Sequence, residues 1–106
     1  MSFRAAQDAV DRWVGQFEEG YFPPLTNLAR LTEEVGELAR EINHRFGGKT
    51  KKPDEPEGSV ALELGDILFV VLCLANSQRI DLDQAFAQVM EKVTVRDAAR
   101  WTRKAR

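Results

Sequence analysis

The sequence predicts an all-α protein, a four-helix antiparallel bundle in a single domain that spans residues 1–106. Three observations support this fold class. Apolar residues recur at spacings of three and four along four stretches, as expected for amphipathic helices. Glycine, proline and polar residues separate these stretches, and no segment alternates apolar with polar residues as a strand would. The connections are short relative to the helices, which favours antiparallel neighbours.

The first two helices are predicted over about 2–19 and 26–46. Ser2 is a candidate N-cap for the first, whose apolar seam is Phe3, Ala6, Val10, Trp13 and Phe17. We expect Trp13 and Phe17 to pack in the core, and the alternative is that a nucleotide base stacks on the aromatic residues at the end of this helix. Gly20 and the following prolines end this helix. The second helix has the seam Leu28, Leu31, Val35, Leu38 and Ile42, and it ends at Gly47.

Two further helices are predicted, one over about 57–78 and one that starts after Asp81, a good N-cap, and reaches as far as Lys104. The segment 49–58 is polar and contains prolines, so we expect a mobile surface loop. The third helix has a continuous apolar run, residues 67–75, without a polar face. This predicts that another copy covers one side of it, in a homodimer or a dimer-of-dimers tetramer. The alternative is that it is the central helix of a monomer.

Two acidic clusters stand out, each with carboxylates three residues apart on a helix. The first provides Glu33, Glu34, Glu37 and Glu41, and the second provides Glu63 and Asp66. Residues three apart lie on neighbouring turns, where like charges repel. Both clusters flank the apolar seams, so two packed helices would bring four carboxylates together. The alternative is a solvated helix face, which is common for acids at this spacing.

A divalent cation would offset this repulsion. The single histidine, His44, and the single cysteine, Cys73, rule out a structural zinc site of the usual ligand set. Carboxylate oxygens suit Mg²⁺, or Mn²⁺, which commonly works together with substrate phosphates. This combination points to phosphoryl chemistry. A spare carboxylate, Glu33 or Glu34, could then orient or deprotonate a water molecule that attacks the phosphate.

The acidic residues form the double motif Glu33-Glu34-Val35-Gly36-Glu37 and Glu63-Leu64-Gly65-Asp66. Together with the stretches NLARLTEEVGELAREINHRFG, LELGDILFVVLCLANS, IDLDQAF and MEKVTVRDAARWTRK, this pattern resembles the MazG-like nucleotide pyrophosphohydrolases of the YpjD type, within the all-α NTP pyrophosphatases. The resemblance covers most of the chain.

The resemblance implies hydrolysis of a nucleoside triphosphate between its α- and β-phosphates, which yields a nucleoside monophosphate and pyrophosphate and serves nucleotide-pool housecleaning. It implies that Glu34, Glu37, Glu63 and Asp66 hold Mg²⁺, with Glu33 as an additional carboxylate at the site. A related dUTP- or dCTP-directed hydrolase stays an open alternative. So does a non-catalytic helical oligomer whose salt-bridged acids serve regulation or binding.

Candidate substrate-binding residues lie outside the acidic motif. Lys92 and Arg96 extend the seam of the fourth helix and could bind phosphates, although cations at a helix C-terminus also favour the helix dipole. The loop lysines Lys49, Lys51 and Lys52 fit a solvated loop better. Asn27 and Asn76 carry amides that could contact the base or the sugar, Asn76 across a subunit boundary.

Composition excludes several classes of function. The formal net charge of −2 gives no basic field for nucleic acid. The apolar run of residues 67–75 is shorter than the ~20 residues of a membrane span, and the first residues lack the apolar core of a secretion signal. We therefore expect a cytoplasmic protein without membrane or nucleic-acid partners.

Overall fold

The computed structural model describes residues 2–47 and 58–105. These residues form four helices without a strand among them: α1 (Phe3–Val14), α2 (Pro24–Phe46), α3 (Val60–Ser77) and α4 (Leu82–Arg96). The all-α class and the order of four helices are confirmed. The predicted loop and its lysines Lys49, Lys51 and Lys52 lie outside the described residues, as does Glu57, where the third helix was expected to begin.

Each helix begins where the sequence offers suitable chemistry. The Ser2 and Ser59 hydroxyls accept hydrogen bonds from the backbone N–H groups of Ala5 and Leu62, at 3.0 and 3.2 Å, and so cap α1 and α3. Asp81 accepts from the N–H of Asp83 at 3.0 Å and caps α4. Helix α2 begins at Pro24, two residues before the predicted start, because proline is well suited to a first helical turn.

Two predicted helix ends are wrong. Helix α1 stops at Val14 rather than near Glu19, and Gly15 forms its C-cap. Turns follow, and Gly20 adopts a positive φ of 61° before the chain reaches the prolines. Helix α4 stops at Arg96 rather than continuing to Lys104, with Asp97 as its C-cap. The Asp97 carboxylate binds the Arg96 side chain through two hydrogen bonds of 3.3 and 3.2 Å.

Helix α3 is the centre of the fold and packs against both α1 and α2. The core contains Val10, Leu72 and Cys73, which are buried, with Phe69 and Leu82 packed around them. The first part of α2 lies beside the last part of α3, and the acidic segments of both helices also meet, so α2 and α3 are antiparallel. This pairing positions the functional site.

Helix α4 contacts α1 rather than closing over α2. The Asp83 carboxylate accepts hydrogen bonds from the backbone N–H groups of Phe3 and Arg4, each at 3.1 Å, so a residue of α4 caps the start of α1. The rings of Phe3 and Phe86 pack edge to face at 5.5 Å. The chain is extended, with a radius of gyration of 17.8 Å, whereas about 13 Å is typical of a compact domain of ~100 residues.

Among the described residues, α3 is the one helix that is long and apolar enough to cross a bilayer, with a mean hydropathy of 1.8. Core helices of soluble proteins share this composition. Two observations favour a core helix: α3 carries Glu63 and Asp66, and it packs between two other helices.

Candidate metal and nucleotide site

A cluster of carboxylates lies where α2 crosses the first turns of α3. One carboxylate oxygen from each of Glu34, Glu37 and Glu63 lies within 4.8 Å of the other two. The spacing of three residues places Glu34 and Glu37 on one face of α2. Ser59 is the N-cap of α3, and Glu63 lies in the first turn of that helix. The packing of α2 on α3 therefore brings together residues from both acidic segments, as the sequence predicts.

Asp66 and Glu33 border this cluster. Asp66 is exposed one turn along α3 from Glu63, and its charge acts on both Glu34 and Glu63. Glu33 is also exposed and acts electrostatically on its neighbour Glu34. The structure thus places every predicted acidic residue of the site within or beside one cluster.

The cluster concentrates negative charge at a partly desolvated position. Burial raises the pKa of Glu34, and the charges of Glu37 and Asp66 raise it further, while Arg30 opposes the shift. Burial also raises the pKa of Glu63, again together with the charges of Glu37 and Asp66. Both raised pKa values mean that ionising these neighbouring carboxyls is less favourable here than in water.

Two oxygen atoms of the cluster are left without partners. The Oε2 atoms of Glu34 and Glu63 are buried and form no hydrogen bond within residues 2–47 and 58–105. A buried carboxylate oxygen without a donor is unfavourable by roughly 1–3 kcal/mol or more. A hard divalent cation binds such oxygen atoms directly. The residues present therefore fit a Mg²⁺ or Mn²⁺ ion.

The other predicted binding residues occupy different surroundings. Asn27 is fully buried near the start of α2. Asn76 lies about 15 Å along α3 from Asp66, by the rise of ten residues, and its amide group is engaged within the chain. Its Nδ2 donates to the Gln7 carbonyl and to the Tyr21 hydroxyl, both at 2.9 Å, and its Oδ1 accepts from Gln7 Nε2.

Lys92 and Arg96 are exposed on α4, and neither belongs to the carboxylate cluster of Glu34, Glu37 and Glu63. The Arg96 side chain pairs with Asp97. Binding of substrate phosphates by Lys92 and Arg96 stays a prediction.

Arg30 is a candidate functional residue that sequence reasoning missed. It is half-buried, its guanidinium lies 5.1 Å from the centre of the Phe22 ring, and its charge acts on Glu34. The signal was present in the sequence: Asn27, Arg30, Glu34 and Glu37 follow each other at spacings of three and four, so they share one face of α2.

The aromatic residues of α1 also differ from the prediction. Trp13 and Phe17 are 56% and 50% exposed, so they are not core residues. Their rings pack edge to face at 5.0 Å. They line an open cavity at the end of α1, because that helix stops at Val14 and the following turns move Phe17 out of the helical seam.

An all-helical chain with a carboxylate cluster between two antiparallel helices defines the class of protein: an all-α protein with a candidate metal site. Comparison with known proteins identifies the family. Residues 22–101 match the model of the MazG nucleotide pyrophosphohydrolase domain, and the chain belongs to this family of enzymes.

Two relatives from Bacillus subtilis strain 168 support the assignment. The uncharacterized protein YpjD is 59% identical over 98 residues, which cover 92% of this chain and 88% of that protein. The uncharacterized protein YvdC is 31% identical over 98 residues, which cover 82% and 92% respectively.

Solved structures show the same fold. The crystal structure of Bacillus subtilis YpjD matches with a TM-score of 0.78 and 55% identity, over 87% of this chain and 94% of that one. A Bacillus-conserved MazG protein, described as a nucleotide pyrophosphohydrolase, matches with a TM-score of 0.76 and 50% identity, over 87% and 88%.

Proposed function

We propose that this protein is a Mg²⁺-dependent hydrolase that cleaves nucleoside triphosphates between the α- and β-phosphates and serves nucleotide-pool housecleaning. The observation that carries the proposal is the pair of buried Oε2 atoms of Glu34 and Glu63, which lie in a cluster of carboxylates and have no hydrogen-bond partner among the described residues. Family membership supports it independently. The solved relative described as a nucleotide pyrophosphohydrolase has the same fold at 50% identity.

In this proposal Glu34, Glu37, Glu63 and Asp66 hold the cation, and Mn²⁺ could replace Mg²⁺. When bound, the cation supplies positive charge that offsets the charge of the phosphates during reaction. Helices α2 and α3 fix the carboxylates before substrate arrives, because their packing rather than a loop positions them.

Glu33 has the role of general base. It lies beside Glu34, but its side chain is exposed, so it can accept the proton of an attacking water. The water oxygen forms a bond to one phosphorus atom of the α–β linkage, the bond to the bridging oxygen breaks, and pyrophosphate and the monophosphate separate. Glu34 is the alternative base, although its buried oxygen favours a role as a ligand.

Arg30 has the role of a phosphate-binding cation next to the cluster. It lies one turn before Glu34 on α2, and the Phe22 ring holds its planar guanidinium. A triphosphate needs cations in addition to the metal, and Arg30 is the half-buried cation whose charge already acts on the cluster.

A second copy of the chain completes the assembly that we propose. Large apolar side chains are exposed on three helices, among them Leu62 (71%) and Leu68 on α3, Val35 on α2 and Phe86 on α4. Exposed apolar patches of this kind mark interfaces. The extended shape and the position of α4 favour a homodimer or a dimer-of-dimers tetramer, in which Lys92 and Arg96 of α4 reach the phosphates bound by another copy.

Product analysis tests the reaction. The protein is incubated with ribo- and deoxyribonucleoside triphosphates in magnesium or in chelator, and products are separated by ion exchange. We expect monophosphate and pyrophosphate only when magnesium is present. Diphosphate with orthophosphate, or turnover unaffected by chelator, would contradict the proposal. A Glu37→Gln variant serves as the inactive reference, and Glu91→Gln, an exposed acid on α4, serves as the matched control.

A further inference from the structure

An open aromatic cavity lies along the same two helices, α2 and α3, as the carboxylate cluster. Its volume is about 300 Å³, and it lies between the end of α1, the turns that follow, the start of α2 and the last part of α3. Three half-exposed rings form its rim, those of Trp13, Phe17 and Phe22. Flat apolar walls of this kind suit a planar aromatic ligand, because bases stack favourably on aromatic side chains.

Asn27 lines the cavity, and one of its side-chain atoms has no partner among the described residues. Asn27 is 0% exposed, and its Nδ2 donates a hydrogen bond of 3.3 Å to the Phe22 carbonyl oxygen. This bond fixes the orientation of the amide, because the flipped amide would place two acceptor oxygens against each other. The Oδ1 atom is therefore an acceptor, and it has no donor in the part of the chain that the structure describes.

The cavity and the cluster follow one another along the same pair of helices. Asn27, Arg30 and Glu34 share one face of α2, and seven residues separate Asn27 from Glu34, about 10 Å along the helix. On α3, Phe69 and Cys73 line the cavity, whereas Glu63 and Asp66 lie at the cluster. A ligand with an aromatic ring at one end and phosphates at the other would meet the cavity, Arg30 and the carboxylates in that order.

We propose that this cavity binds the base of the substrate and selects bases that carry an amino group at C4 of a pyrimidine or C6 of a purine, cytosine or adenine, through a hydrogen bond donated to Asn27 Oδ1. Uracil, guanine and hypoxanthine carry a carbonyl oxygen at that position, and two acceptors facing each other in a desolvated wall repel. The proposal rests on the function proposed above, because it assigns the base of that same substrate.

Matched pairs of substrates test the selection directly. The ratio of kcat/KM is measured for CTP against UTP and for ATP against ITP, and for the deoxy forms of each. We expect at least a 10-fold preference for the amino member of one pair, as sites that hydrogen-bond a substrate group discriminate strongly against analogues lacking it. Equal turnover of both members in every pair would overturn the proposal.

Substitution of Asn27 tests the atom responsible. Asn27→Leu removes the acceptor, and we expect the preference to fall below about 3-fold, chiefly because turnover of the amino substrate decreases. Asn27→Asp keeps an acceptor oxygen, so it should retain the order of preference. An Asn27→Leu variant that folds, as judged by circular dichroism, and still prefers the amino substrate would overturn the assignment.

Nucleoside binding separates this inference from the hydrolase proposal. In a Trp101→Phe variant, Trp13 is the single tryptophan and lines the cavity, so its fluorescence reports occupation. Cytidine or adenosine should change this fluorescence at lower concentration than uridine or inosine, with or without magnesium. Tighter binding of cytidine or adenosine without hydrolysis of any triphosphate would support the base site and contradict the proposed reaction. Hydrolysis of triphosphates with equal binding of all four nucleosides would support the reaction and contradict the base site.

Discussion

The carboxylates of Glu34 on α2 and Glu63 on α3 approach within 4.8 Å of each other, and each has a buried Oε2 atom without a hydrogen-bond partner among the described residues. Two packed helices thus hold like charges together at a position where water is partly excluded. This arrangement is unfavourable for the metal-free protein and favourable for cation binding.

Asp66→Asn should stabilise the metal-free protein and remove its response to magnesium. Loss of one charge relieves repulsion in the cluster, and about 1 kcal/mol would raise Tm by roughly 4–8 °C in a domain of this size. The wild type should gain about 2.7 kcal/mol when magnesium is present at 100 times its Kd. Thermal melts in chelator and in magnesium measure both effects.

The matched control for Asp66→Asn is Asp8→Asn, because Asp8 is exposed on α1. This control should melt like the wild type in both buffers. An Asp66→Asn protein with the magnesium response of the wild type would exclude Asp66 from the metal site.

The stability of the metal-free protein should depend on pH through Glu34 and Glu63. Burial and neighbouring charges raise both pKa values above the ordinary value of 4.5, so the folded state favours the protonated forms. Their contribution to stability is complete below pH 4.5 and is lost as pH rises through the raised values. Glu63→Gln should therefore become more stable relative to the wild type as pH increases, as urea unfolding in chelator would measure. A stability difference that is constant from pH 4.5 to 8 would contradict the pKa directions.

Arg30→Gln should lower kcat/KM for triphosphates by at least about 10-fold, because a charge-assisted bidentate contact contributes roughly 1.5–3 kcal/mol. Steady-state kinetics with a triphosphate measure this loss. Unchanged nucleoside binding in the Arg30→Gln variant would locate the effect at the phosphates. Arg12→Gln, an exposed arginine on α1, is the control. If the Arg30 variant keeps full activity, Arg30 does not contact substrate.

Tyr21→Phe should destabilise the protein by about 1 kcal/mol. The Tyr21 hydroxyl donates to Asp11 at 2.7 Å and accepts from Asn76 at 2.9 Å, so it links the turn after α1 to both α1 and α3. Burial and the hydrogen bond to Asp11 raise the pKa of Tyr21 to about 12. The wild type should therefore lose stability between pH 10 and 12, and the variant should lose less there. Denaturant titrations at both pH values measure this difference; equal losses would argue against the raised pKa.

Leu68→Lys should shift the protein towards the monomer. Leu68 is about half-exposed on the central helix, where we propose that a second copy binds, and a buried unpaired charge strongly disfavours association. Sedimentation velocity should show a wild-type oligomer and a smaller variant. Gln88→Lys, an exposed residue of α4, is the control for added charge. A monomeric wild type would contradict the proposed interface.

The acidic cluster shows how much of the candidate site the spacing of residues in the sequence predicts. The spacing of Glu34 to Glu37 and of Glu63 to Asp66, next to apolar seams, predicted that α2 and α3 would bring four carboxylates together. The structure brings Glu34, Glu37 and Glu63 together, with Asp66 bordering them. The cavity was not predicted. The pattern placed Trp13 and Phe17 in the core because it assumed a continuous helix, whereas α1 ends at Val14. The partners of Asn27 and Asn76 could not be inferred either, since they depend on tertiary contacts rather than on spacing.

The sequence by itself determined the all-α class, the four helices and their order, the caps at Ser2 and Asp81, and the faces on which the acids lie. These features follow from periodicity and local hydrogen bonding, which act over a few residues. Only the tertiary structure decided that Phe22 contacts Arg30, that Asn76 is engaged by α1, and that the acceptor oxygen of Asn27 has no donor among the described residues. Those outcomes depend on how α1, α2 and α3 pack, and packing is set by contacts between residues far apart in the chain.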